Sequence, residues 1–136
     1  MYQFPNQFNK PDLACLLLRL ALGLVLLAHS VYLKLFVFGL AGTAQFFTSI
    51  GLPYLLAYFV FFLELIAGLM LLVGYHSRLV ALMVLPVLLG ATWAHWGSGW
   101  LFTNTGGGWE YPLFLLFTSL AVVFLGGGRY ALKPST

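Results

Sequence analysis

A single carboxylate, Glu64, stands in the middle of the apolar run 52–74, LPYLLAYFVFFLELIAGLMLLVG. About 20 helical residues cross a bilayer core, so Glu64 is predicted near mid-membrane, where an ionised side chain costs several kcal/mol unless it is paired or wetted. Arg19 is the cation the spacing offers it. Counted at 1.5 Å per residue, Arg19 lies roughly 10 Å and Glu64 roughly 15 Å from the same end of their spans, within an arginine's reach. The spacing therefore predicts a buried Arg19–Glu64 ion pair that locks two neighbouring helices, or a carboxylate that handles protons.

A second set gathers toward the opposite surface: His29, Lys34, Trp93, His95, Trp96, Glu110 and Tyr111. Two imidazoles at similar depth on different helices can hold a quinone oxygen or ligate a haem iron, and of the two the quinone is the expected occupant. The candidate ligand-binding residues are His29, Lys34, His95, Trp96, Glu110 and Tyr111, with His29, His95 and Glu64 as the candidate catalytic groups. Belt or packing roles for the aromatics and histidines are the rival reading. Cys15 is the only cysteine. The chain has no CxxC pair, no internal disulfide and no cysteine metal cluster, so no metal site is expected and redox chemistry would need a bound cofactor or a partner protein.

These residues need apolar helices to hold them at depth, and the composition supplies them. The chain of 136 residues is 62% hydrophobic and 18% aromatic, with six basic and three acidic side chains. A soluble domain carries far more charge, and no basic patch suggests a nucleic acid. The expectation is one all-α domain over residues 1–136, an integral membrane four-helix bundle with spans near 13–35, 53–73, 79–96 and 110–126.

In the first span Arg19, Gly23, Leu26, Ser30 and Lys34 share one face, which points into protein. Asp12 after Pro11 is the expected N-cap, and Tyr2, Phe4 and Phe8 before it suit the headgroup level. Arg19 inside this run argues against a cleaved signal peptide, so the run is read as a retained span. Residues 36–52 are too polar to cross, and a short interfacial helix is predicted at 43–50, capped by Thr43 and lying as a lid over one end. Pro86 should kink the third span. Gly126 to Gly128 should end the last, with Arg129 and Lys133 in a basic tail. Lys10, Arg78, Arg129 and Lys133 on one side against Lys34 on the other place both termini in the cytoplasm, and the lid and the glycine-rich 97–109 loop outside.

The order of motifs resembles a known family. RLALGLVLLAHSVYLKLFVFGLAGTAQFFTSIGLP, LELIAGLMLLVGYHSRL, an HW pair before a glycine loop, GGGWEYP and GGGRYAL are similar to the DoxX family of small bacterial inner-membrane proteins. The resemblance covers about residues 16–132 and implies a four-helix protein of the bacterial inner membrane that works with respiratory or redox partners. One relative, DoxD, belongs to a thiosulfate:quinone oxidoreductase. It supplies no agreed catalytic set, and nothing in the chain indicates a thiosulfate site. The expectation is a quinone-interacting subunit of a membrane oxidoreductase acting in respiratory or oxidative and thiol-stress chemistry, with an outward pocket formed by the first three spans under the lid. A lipid bilayer, a redox partner protein and a homo-oligomer are the expected associations. The alternative is a non-catalytic scaffold whose charges and small residues hold the helices together, with a transporter as a third, less favoured reading.

Overall fold

The computed structural model describes residues 10–133. Among them every regular element is helical: α1 (Lys10–Leu27) running without a break into a π-helical extension (Ala28–Val37), α2 (Leu40–Ser49), α3 (Tyr54–Val73), α4 (Ser77–Ala94), a 3₁₀ turn (Trp96–Ser98) and α5 (Glu110–Leu125). The headgroup expectation for Tyr2, Phe4 and Phe8 lies outside the described residues.

Three helices are long and apolar enough to cross a membrane: Lys10–Val37, Tyr54–Val73 and Ser77–Ala94. The fourth apolar helix, α5, has 16 residues and is about 24 Å long, short of the ~30 Å hydrocarbon core. Leu17, Leu24, Phe59, Phe62, Ile66 and Phe117 are all exposed, forming the apolar exterior that lipid requires.

Helices α1 and α3 run antiparallel and touch backbone to backbone at Gly23 and Gly68. A Cβ on Gly23 would lie 2.9 Å from the Gly68 carbonyl oxygen, and one on Gly68 would lie 3.0 Å from that of Gly23. Small residues at a crossing let two helices gain dispersion contact that lipid tails cannot give. On the other side α5 packs along α4. There the buried Ser119 hydroxyl donates to the Ala81 carbonyl at 2.8 Å, a polar tie between helices. Leu22, Leu26, Leu71, Val84, Leu88 and Val122 fill the shared interior. Helix α4 continues on both sides of Pro86.

Two expected caps are placed differently. Asp12 lies inside the first turn of α1, and its carboxylate accepts the Arg129 amide at 3.0 Å instead of capping its own helix. Helix α2 begins three residues before Thr43, at Leu40 after Gly39, whose φ of 73° suits only glycine. Thr43 instead turns inward, donating to the Gly39 carbonyl at 2.8 Å with the Lys34 carbonyl 3.4 Å away. That contact fastens α2 to the π-helical extension while α2 packs on α3.

The segment after α5 is not a free basic tail. Gly126, at φ 77°, ends the helix, and the chain folds back under the bundle so that the amides of Leu132 and Lys133 donate to the carbonyls of Val73 and Gly74 at 2.9 and 3.1 Å. Gly128 lies against Cys15, where a Cβ would come 2.8 Å from the cysteine Cβ. This end of the molecule is called the tail end below, and the end holding α2 and the 97–109 loop the loop end.

Candidate functional site

Glu64 is buried, and its partner is Lys34. The lysine Nζ donates to both carboxylate oxygens, at 3.1 and 2.9 Å, with side chains only 15% and 7% exposed for Lys34 and Glu64. The expected Arg19–Glu64 pair does not form. Counted from the Gly23–Gly68 crossing, Arg19 lies four residues toward the tail end and Glu64 four toward the loop end, which separates them by roughly 12 Å along the axis.

Side-chain direction completes the correction. A helical side chain leans toward the N-terminus of its own helix. Glu64 on α3 therefore leans toward the loop end, and Arg19 on α1 toward the tail end, so the two diverge. Lys34 leans down its helix toward Glu64 as Glu64 leans up toward it. The pair lies where the π-helical extension, α3 and α2 meet, beside Ser30, Thr43 and Phe61, all buried.

Arg19 does a different task. It is 1% exposed, and its guanidinium donates to the carbonyls of Leu71 at 2.9 Å, Leu72 at 3.1 Å and Tyr130 at 3.3 Å. Leu71 and Leu72 lie in the last turn of α3, whose carbonyls have no partner within the helix. With the Leu132 and Lys133 amides on Val73 and Gly74, four successive carbonyls at this helix end are satisfied. A cation at a helix C-terminus also meets the negative end of its dipole.

The loop-end residues divide into two groups. His29 Nδ1 lies 2.9 Å from the Val25 carbonyl, and its ring stacks on Tyr111 with centroids 6.1 Å apart and planes 24° apart. His95 Nδ1 instead lies 3.0 Å from the Gly106 carbonyl in the loop. No hydrogen bond or ring contact joins the two histidines among the described residues, and each takes its own backbone partner. Trp96 stacks on Trp109 at 4.8 Å, and Trp100 meets Trp109 edge-on at 4.6 Å. Those contacts shape the loop. The Glu110 amide donates to the Trp100 carbonyl at 3.2 Å, holding the loop against the start of α5.

Between loop and helix lies an open groove of about 610 Å³ lined by Trp100, Phe102, Glu110, Tyr111 and Phe114. It is built from α5 and the loop, not from the first three spans under the lid. Of its lining, Glu110 and Tyr111 were legible as candidates. Phe114 was missed, although it lies one helical turn after Glu110 and Tyr111 and so shares their face. The Glu110 carboxylate has neither a cation nor a hydrogen-bond donor among the described residues. An aromatic groove of this kind, with one carboxylate in its lining, can hold a flat ring.

A family model described as DoxX matches residues 14–96. The chain is also 34% identical over 123 residues to a Bacillus subtilis (strain 168) protein named "Putative oxidoreductase CatD", a match that covers 90% of this chain and 87% of that protein. No solved structure matches the chain. With its apolar helices and this agreement along most of its length, the chain belongs to the DoxX family of membrane proteins.

Proposed function

We propose that the protein is a quinone-interacting membrane subunit of an oxidoreductase, with the headgroup seated in the groove of Trp100, Phe102, Glu110, Tyr111 and Phe114. The observation that carries this is the groove itself. Its aromatic walls are exposed, Trp100 and Phe102 from the loop and Tyr111 and Phe114 from α5, and the apolar outer face of α5 favours a ligand dissolved in the bilayer. Tyr111 is common to the groove and to the His29 stack, which supports a role for that imidazole near the seat. The printed name of the Bacillus relative agrees with the class of chemistry. The protein supplies position and proton acceptors, and a redox partner protein takes or gives the electrons.

In this reading α1 with its extension, α3, α4 and α5 are four spans of a bundle in the bacterial inner membrane, and α2 is an interfacial lid. Both termini face the cytoplasm. Lys10, Arg78, Arg129 and Lys133 at the tail end against Lys34 toward the other support that orientation. The Lys34–Glu64 pair holds the lid side closed and is a positioning element, while Glu110 and His29 replace Glu64 and His95 as the groups beside the ligand.

The test is titration of the purified protein in lipid nanodiscs with a short-chain quinone, read by tryptophan fluorescence. Quenching that saturates and weakens at least severalfold in Tyr111→Ala supports the reading. Absence of saturable quenching contradicts it.

A scaffold role is the second reading, and one observation favours it: Arg19, Lys34 and Glu64 are each consumed by a structural partner. Under that reading Glu110 and His29 variants leave every activity of the assembled complex unchanged.

A further inference from the structure

We propose that anionic phospholipid headgroups bind the tail end of the bundle and hold the folded-back segment 126–133 closed over Cys15. The segment crosses from one helix end to another. At one side the Arg129 amide donates to Asp12 in the first turn of α1, and at the other the Leu132 and Lys133 amides donate to Val73 and Gly74 at the end of α3. Between them the Tyr130 carbonyl accepts from Arg19 at 3.3 Å. Little apolar surface adds to these bonds: after three glycines, Arg129, Tyr130, Leu132 and Lys133 are all exposed, and only Ala131 tucks inward against Gly74.

The charge at this end says what completes the attachment. Asp12 is the only carboxylate side chain here, and it is taken by the Arg129 amide, while Glu64 and Glu110 lie toward the loop end. Against it stand Lys10, Arg78, Arg129 and Lys133, of which Lys10, Arg129 and Lys133 are exposed. Arg129 and Lys133 meet no carboxylate among the described residues, and Lys133 rests 5.8 Å over the ring of the exposed Tyr75. Tyr75 and Tyr130 suit the headgroup level, where the phosphate of an anionic lipid is the counter-ion at hand. Each cation held at such a surface strengthens attachment about fivefold. A basic bias alone sets orientation. Here Arg129 stands over the start of α1 and Lys133 over the end of α3, so one lipid layer fastens both sides of the segment.

The experiment places the full chain in nanodiscs of phosphatidylcholine alone and of phosphatidylcholine with phosphatidylglycerol, and measures how fast an uncharged maleimide labels Cys15. A Cβ on Gly128 would lie 2.8 Å from the Cys15 Cβ, so lifting the segment opens the thiol. Wild type is expected to label roughly tenfold more slowly or better in the anionic discs, the scale of two cations on an anionic surface. Arg129→Gln/Lys133→Gln alters only exposed side chains, so it should keep the thermal midpoint in neutral discs and narrow the difference to about twofold, the part due to the lower pH at an anionic surface. Equal wild-type rates in the two lipids, or the full slowing retained in the double variant, overturn the proposal. Slowing of the same size by soluble glycerophosphate in neutral discs also overturns it, since free phosphate then replaces the lipid. The proposal rests on the tail end meeting a headgroup layer, and its failure leaves the quinone seat standing.

Discussion

Replacing Lys34 with Met separates the two accounts of how Glu64 is tolerated in the membrane. The lysine Nζ lies 2.9 Å from the nearer carboxylate oxygen, with both side chains nearly buried. At an effective dielectric of about 20 that separation is worth roughly 6 kcal/mol of attraction, much of it offset by the water both charges gave up. Losing the lysine alone strands Glu64, which can limit the damage only by taking a proton. The expected loss is about 3–5 kcal/mol.

The double variant Lys34→Met/Glu64→Leu removes both charges at similar volume and should recover most of that loss. Cys15 is the sole cysteine and is buried, so a thiol-reactive fluorophore reports unfolding without any added label. At roughly 3 °C per kcal/mol, the Lys34→Met midpoint should fall by about 10 °C, with the double variant close to wild type. An unchanged midpoint in Lys34→Met, or rescue of Glu64→Leu by Arg19→Leu instead, would refute the reasoning.

Arg19→Met should uncap α3 and loosen the folded-back segment, costing roughly 3 kcal/mol, and should speed fluorophore attack on Cys15 well below the melting point, since Gly128 covers that thiol. Gly68→Val should force apart the α1–α3 crossing, where a Cβ already meets the Gly23 carbonyl at 3.0 Å; a drop of about 1–3 kcal/mol in the same thermal assay is expected. Ser119→Ala leaves the Ala81 carbonyl its helical bond and should cost only about 1 kcal/mol. In a Cys15→Ser background, cysteines at Tyr75 and Asn104, both exposed, should label from opposite faces of the membrane; labelling from one face would contradict the four-span orientation.

The buried face of the first helix was readable from period alone, because Arg19, Gly23, Leu26 and Ser30 recur at helical spacing and all are buried. The partner of Glu64 was also within reach of the sequence. Depth along each span does not decide the pairing, because each side chain leans toward the N-terminus of its own helix and that lean sends Arg19 and Glu64 apart. Lys34 falls on the same inward face as Arg19 but near the loop end by depth, and the helix that carries it runs on to Val37 with i to i+5 bonding, as the Phe38 amide to Leu33 carbonyl bond at 2.8 Å shows. No local signal announces that GGGRYAL turns back to cap α3. Glycines mark a bend without saying where the chain goes next, and the carbonyls it meets are distant in sequence. The groove was hidden for the same reason, since it depends on how three tryptophans stack across the 97–109 loop.

The central claim is that the headgroup sits between the loop and the start of α5, and photo-crosslinking addresses it most directly. An azido-substituted short-chain quinone, activated on the protein in nanodiscs and mapped by mass spectrometry of proteolytic fragments, is predicted to mark Trp100, Phe102, Tyr111 or Phe114 and to be displaced by excess unlabelled quinol. Adducts confined to other helices, or adducts at these residues that excess quinol does not displace, would contradict the account.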